Sequence, residues 1–191
     1  MGQVIVISFI TLDGVVEDPV GSDRTAFGGW ATRQGRAAVD GDKFRLGPVL
    51  DAATLLFGRR TWELFSALWP GREGPFAARM NRAPKAVITS RPLDTAVWSN
   101  SRAITGPVDD WVRETLPATD IVVIGSRTVV RALMSAGLVG EYRLLTFPDV
   151  VGDGERLFTE PVALRQVSSE AGRYGVLTTL RPLDDRERSA S

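Results

Sequence analysis

ATLLFGRRTWELFSALW, residues 53–69, changes its period in the middle. Ala53–Phe57 is a continuous apolar run ending at Gly58, the pattern of a buried strand. Beyond Gly58 the apolar residues fall at Trp62, Phe65 and Trp69, the three-, four- and seven-residue spacing of one helix face, and Pro70 stops the helix. A buried strand that turns at a glycine straight into a helix is the first half of a strand–helix–strand unit.

The same alternation continues on both sides. Val4–Ile10, rich in β-branched residues, Lys85–Thr89 and Ile121–Ile124, both closed by turn signals, and Tyr142–Phe147 are further strand-like runs. Helical patterns lie between them. One opens at Pro107 with acids in its first turn and runs to Leu116. Another spans Thr128–Ala136 and closes at Gly137. Asp40–Leu50 reads as helical, interrupted by Gly47-Pro48. Val162–Ser169 and Tyr174–Leu180, joined around Gly172, read as an antiparallel pair. The expectation is an α/β chain with a mainly parallel sheet, organised as a single domain over 1–183 with a frayed polar tail at 184–191.

Composition narrows the chemistry. The 191 residues carry 23 Lys plus Arg against 23 Asp plus Glu, so no net charge draws the chain to nucleic acid or an anionic membrane. There is no Cys and no His. Thiolate nucleophiles, zinc–thiolate sites, iron–sulfur clusters, catalytic triads and imidazole acid–base work are therefore excluded, and no metal site is expected. The N-terminal sequence lacks the pattern of a signal peptide, and no apolar run nears the roughly 20 residues of a membrane span. The expectation is a cytoplasmic chain whose chemistry is carried by carboxylates, Tyr, Lys, backbone amides or a cofactor.

In an open α/β sheet, ligands bind beyond the carboxyl ends of the strands. Three such ends carry similar turns: Gly58-Arg59-Arg60-Thr61, then Thr89-Ser90-Arg91, then Gly125-Ser126-Arg127-Thr128. Each offers a hydroxyl and a guanidinium, and two open helices whose N–H groups suit phosphate oxygens. Together they describe a polyphosphate cradle, although glycine after a strand is also ordinary turn chemistry. Neither a G-x-G-x-x-G fingerprint nor a Walker motif is present. The first strand ends in Thr11-Leu12-Asp13-Gly14, which places Asp13 over the same end of the sheet as a candidate for substrate contact or proton relay, or as a plain Asp-Gly turn. Trp30, in the loop Ala26-Phe27-Gly28-Gly29-Trp30, is a candidate ligand wall. Phe65 and Trp69 face either the core or the substrate. Trp98 and Trp111 are assigned to packing.

Taken in order, these segments resemble the dihydrofolate reductase-like superfamily. They are Ser8…Thr11-Leu12-Asp13-Gly14, Leu55–Glu63, Lys85–Ser90, Asp120–Ser126, Gly137–Leu144 and Gly152-Asp153-Gly154-Glu155-Arg156-Leu157-Phe158. The resemblance is nearest to the branch containing the reductase domain of the bifunctional riboflavin-biosynthesis deaminase–reductase, and it covers about residues 3–180. It implies a three-layer fold: a mainly parallel mixed sheet of about eight strands, antiparallel C-terminal strands and flanking helices. It also implies a homodimer and an NADPH-dependent reductase. In that reading Gly58, Arg59, Arg60 and Thr61 hold cofactor phosphates. Ser90 and Arg91 meet the adenosine 2′-phosphate, and Gly125, Ser126, Arg127 and Thr128 lie under the pyrophosphate. Asp13 stands beside nicotinamide and substrate.

Two departures matter. Asp40, Asp42 and Asp51 do not align with the substrate-binding acid of the dihydrofolate reductases proper, so folate is not the expected substrate. Ser126-Arg127 stands where further glycines are frequent. The resulting expectation is a stand-alone reductase that transfers hydride to a small pterin-, pyrimidine- or flavin-precursor-like heterocycle held among Asp13, Trp30, Phe65 and Trp69. The proton would come from Asp13 or from water. The competing readings are a non-catalytic nucleotide- or heterocycle-binding protein on the same fold, and a flavin-dependent protein.

Overall fold

The computed structural model describes residues 2–183; the tail expected at 184–191 lies outside the described residues. Eight strands form one mixed sheet in the order β4-β3-β2-β5-β1-β6-β8-β7. The strands are β1 (Val4–Thr11), β2 (Thr54–Gly58), β3 (Lys85–Ile88), β4 (Ser101–Ile104), β5 (Ile121–Gly125), β6 (Val139–Phe147), β7 (Leu164–Ala171) and β8 (Val176–Pro182). The pairs β1–β5, β2–β5, β2–β3 and β3–β4 are parallel, whereas β6–β8 and β7–β8 are antiparallel. Among the described residues five α-helices flank the sheet, α1 (Val49–Ala52), α2 (Arg59–Ser66), α3 (Pro75–Arg82), α4 (Val108–Thr115) and α5 (Arg127–Ser135), beside two short 3-10 turns at Trp30–Thr32 and Arg36–Ala38. The mainly parallel mixed sheet with antiparallel C-terminal strands is the expected architecture. Among the described residues no helix is long and apolar enough to cross a membrane.

The backbone falls into two compact units. The first runs from the start of the chain to Ile7 and then over Arg45–Gly140. Its core is the β-branched and leucine-rich centre of the sheet: Leu55, Leu56 and Phe57 on β2, Val122 and Val123 on β5, and Ala86 and Val87 on β3, all buried. Helices α2 and α5 lie on these strands and bury Trp62, Val129, Val130 and Leu133. An aromatic line runs from β2 outward. Phe57 meets Phe65 at 5.7 Å, Phe65 meets Trp69 at 6.3 Å, and Trp69 meets Phe76 at 5.5 Å between ring centroids. Trp98 packs on Phe57 at 5.6 Å and its indole N–H donates to Asn81 Oδ1, so its assignment to packing holds.

Lys85 opens β3 yet is only 1% exposed. Its ammonium donates to the carbonyls of Asn81 (2.8 Å), Ala83 (2.8 Å) and Ser99 (3.1 Å) and lies 4.5 Å from the Trp98 ring centre. It thereby satisfies the C-terminal carbonyls of α3, which a buried helix end needs. Burial pushes its pKa down to about 8.

The second unit comprises Ser8–Phe44 and the chain from Glu141 onward. Trp30, Ala31, Ala38, Leu145, Phe147 and Leu177 form its core, with Phe9 and Phe44 packed on it. Phe147 makes T-shaped contacts with both neighbours, Trp30 at 5.7 Å and Phe9 at 5.6 Å between ring centroids. Glu141, 2% exposed, accepts from Arg143 Nε (2.8 Å) and from Arg181 Nη2 (2.8 Å), so its buried charge is paired.

The segment expected to be helical over Asp40–Leu50 is not. Helix forms only at Val49–Ala52, because Gly41, Arg45 and Gly47 take left-handed backbone angles that end any helical run.

Candidate functional site

Two of the three expected turns touch. Strands β2 and β5 are parallel neighbours with Leu56 opposite Val123 and Phe57 opposite Gly125, so their carboxyl ends emerge side by side. This is also where the strand order reverses, since β3 and β4 lie on one side of β2 and β5 on the other. Gly58 and Gly125 permit the contact. A Cβ on Gly58 would strike Ser126 Oγ and stand 2.9 Å from Ser126 Cβ. A Cβ on Gly125 would meet Thr61 Oγ1 at 3.2 Å, and Gly125 has φ +128°, a value that favours glycine. The Gly125–Ser126 peptide is cis.

Helices α2 and α5 start at this junction. Neither has a side-chain cap or an acid in its first turn. Helix α4, by contrast, carries Asp109 and Asp110 there. The first-turn N–H groups and the positive end of each helix dipole therefore sit together, with the Ser126 and Thr128 hydroxyls 2.7 Å apart beside them. Arg60 and Arg127 stand in the first turns of α2 and α5.

The third turn is tied to the first by Arg59. Its Nη1 donates to Thr89 Oγ1 (3.1 Å), the Arg91 carbonyl (3.3 Å) and the Pro92 carbonyl (2.9 Å), while its Nε donates to Glu63 Oε1 (2.7 Å). Thr89 Oγ1 also accepts from the Arg91 amide at 3.2 Å. Ser90 and Arg91 are exposed. Among the described residues no hydrogen bond or ion pair engages the Arg91 guanidinium. Arg59 is thus a brace in this turn rather than an open cation. Sequence reasoning missed Thr89 and Glu63 as its partners; an Arg-x-x-x-Glu spacing on a helix was the one available signal.

The expected substrate residues are placed as follows. Phe65 is half-buried on α2. Trp69 is 8% exposed, and its indole N–H is buried without a hydrogen-bond partner. In the second unit Trp30 is 1% exposed and its N–H donates to the Glu17 carbonyl at 2.9 Å. The expected open wall is instead a packed core residue, because the Gly28-Gly29 turn folds the ring inward onto Phe147. Asp13 closes its own loop. Its carboxylate accepts from Thr11 Oγ1 (2.6 Å), the Gly152 amide (2.8 Å) and the Val151 amide (3.4 Å). The Thr11 bond, followed by the amide of Gly152, holds the carboxyl below the ordinary aspartate range. The loop also bonds Arg156 Nε to the Asp13 carbonyl at 3.0 Å, so Asp13 joins the turn after β1 to the Gly152-Asp153-Gly154 turn.

Acid-free helix N-termini flanked by hydroxyls suit phosphate oxygens. Gly58, Thr61, Gly125, Ser126 and Thr128 bring two of them together at the first-unit junction, so the residues there are compatible with the diphosphate of a nucleotide cofactor.

Comparison with known proteins gives the same fold. A putative riboflavin biosynthesis protein from Shewanella sp. PV-4 matches with a TM-score of 0.72 at 16% identity, over 95% of this chain and 99% of that one. Dihydrofolate reductase from Enterococcus faecalis, complexed with NADP(H) and RAB-propyl, matches with a TM-score of 0.61 at 17% identity, over 96% and 98% of the two chains. In sequence, the uncharacterized protein YyaP of Bacillus subtilis (strain 168) is 26% identical over 137 residues, 65% of this chain and 70% of that protein. The family model described as the RibD C-terminal domain matches residues 3–178, nearly the whole chain, and the chain therefore belongs to the RibD C-terminal domain family.

Proposed function

We propose that the chain is an NADPH-dependent reductase that transfers hydride to a small pterin-, pyrimidine- or flavin-precursor-like heterocycle. The observation that carries this reading is the junction of α2 and α5. Two neighbouring helix N-termini, bare of acids and side-chain caps, meet through Gly58 and Gly125 at the point where the strand order reverses. Family membership supports it, as does the likeness to a dihydrofolate reductase complexed with NADP(H).

The bound dinucleotide supplies the hydride, and the chain's own residues do the rest. The first-turn amides of α2 and α5, with Thr61, Ser126 and Thr128, bind the diphosphate. Arg60 and Arg127 add charge in the same turns, and Arg91 and Ser90 meet the ribose phosphate. Asp13 accepts three hydrogen bonds as a carboxylate, which makes it a loop anchor and a poor acid near neutral pH. The proton that completes the reduction then comes from water, and the half-buried Phe65 offers apolar surface for a flat ring, backed by the buried Trp69. The test is NADPH oxidation across a panel of pterins, pyrimidines and quinoid flavin precursors. Turnover with one class supports the reading. Tight NADPH binding with no turnover across the panel favours a binding protein instead.

A further inference from the structure

We infer that the Trp69 indole N–H is a specificity-determining hydrogen-bond donor, and that the ring it selects is a flat heterocycle carrying a ring carbonyl. This rests on the reading above for the place of the ring beside α2, and it adds the chemical class of that ring.

Trp69 is the exception among the buried tryptophans. Trp30 donates to the Glu17 carbonyl (2.9 Å), Trp62 to Ser101 Oγ (2.9 Å) and Trp98 to Asn81 Oδ1 (2.8 Å). The Trp69 ring is buried as well, yet its N–H is the one buried side-chain polar group among the described residues without a hydrogen-bond partner. An indole only donates, so an acceptor alone can satisfy it, and a buried donor left bare is costly. The residue is held where it stands. Its carbonyl accepts from Asn81 Nδ2 (3.0 Å) and from the Arg72 amide (3.0 Å). The nearby Asn81 oxygen is engaged by Trp98.

The surroundings suit a flat ring. Phe65 and Phe76 stand 6.3 Å and 5.5 Å from Trp69 between ring centroids, and Leu64 and Leu68 on the same stretch of chain are exposed. The Arg72 guanidinium covers the Trp69 ring at 5.3 Å from the turn between α2 and α3, and it can swing aside to admit a ligand. A lone donor set in apolar surface fixes the orientation of a ring that brings the matching acceptor, and a carbonyl is a strong neutral one.

The test compares quinoxaline with quinoxalinone, two flat rings that differ by a lactam group, on the full chain with NADP+ present. Wild type should bind quinoxalinone about threefold to tenfold more tightly, the net worth of a neutral hydrogen bond. In protein isotope-labelled at its tryptophan indoles, quinoxalinone should move the Trp69 N–H proton downfield relative to its position with quinoxaline, since the ring currents of the two ligands are alike. Trp69→Phe gives up no hydrogen bond of the chain's own. It should bind quinoxaline as wild type does and lose the preference for quinoxalinone, whereas a purely structural role would weaken both ligands alike. Equal affinity for the two rings in wild type, a preference that survives in Trp69→Phe, or no binding of either ring overturns the inference. Turnover of NADPH with a ring that leaves the Trp69 proton unmoved would also overturn it and leave the reductase reading intact. The reverse result, a Trp69 shift and preference with no ring reduced by NADPH, would sink the reductase reading and leave the indole as the donor of a binding site.

Discussion

Gly58→Ala asks whether the turns after β2 and β5 are in contact. The backbone at Gly58 is ordinary and extended, φ −77° and ψ 155°, so a methyl group there carries no conformational strain. Its whole effect is steric. The new Cβ would lie 2.9 Å from Ser126 Cβ and 3.2 Å from the Ser126 amide nitrogen. Ser126 Oγ can rotate away, but its Cβ and backbone cannot. The first of these contacts is roughly 0.6 Å short of a comfortable carbon–carbon separation of ~3.5 Å. Overpacking of this kind costs about 1–3 kcal/mol. In a chain of this size each kcal/mol moves Tm by about 2–4 °C, so Gly58→Ala should unfold about 2–12 °C below wild type. Ser126→Gly removes the obstructing atoms and by itself costs only a few tenths of a kcal/mol as a helix cap. The double variant should therefore regain most of the lost Tm. Circular dichroism melts of the four proteins complete the cycle. A Gly58→Ala protein that melts with wild type, or a double variant no better than Gly58→Ala, would refute the contact on which the cradle depends.

Lys85→Met leaves the carbonyls of Asn81, Ala83 and Ser99 without their donor and should lower stability by about 1–3 kcal/mol, read from urea unfolding. Lys85 also sets a pH dependence. Its folded pKa of about 8 lies below the unfolded 10.5, so the unfolded chain binds more protons between those values and stability should rise with pH across that window. Tyr142, pushed up to about 12 by burial from 10.0, acts in the opposite sense and should lower stability above pH 10. Urea melts across this range should show the rise between pH 8 and 10 in wild type and lose it in Lys85→Met. Asp13→Asn removes a carboxylate whose folded pKa is depressed, so its stabilisation is present above pH 3.8 and is lost as pH falls through the lower folded value. The variant should melt earlier at neutral pH and be less sensitive to acid. If water supplies the proton, Asp13→Asn should keep its NADPH oxidation; abolished turnover in a folded variant would make Asp13 the acid.

The central strands were legible because each is a dense apolar run between turn signals. Val4–Ile10, Ala53–Phe57 and Ile121–Ile124 fall within a residue of β1, β2 and β5. Strand β4, Ser-Arg-Ala-Ile, escaped notice because it is a sheet edge with only Ile104 buried, so its sequence carries no apolar period. Helix α3 escaped for a similar reason: it buries just Ala77 and Met80 among polar neighbours. The two helix-opening turns could be read from glycine and hydroxyl residues after strands. That Arg59 binds its own chain could not, because its partners are mainly backbone carbonyls more than thirty residues away. The inward turn of Trp30 depends on a distant strand, β6, which supplies Phe147.

The most direct test of the cradle is a calorimetric titration of wild type and Gly125→Val with NADPH and NADH. Wild type should show one saturable site, tighter for NADPH. That site should be lost in Gly125→Val, where a branched side chain would occupy a φ +128° position whose Cβ lies 3.2 Å from Thr61 Oγ1. No heat with either dinucleotide in wild type, or undiminished affinity in a folded Gly125→Val protein, would contradict it.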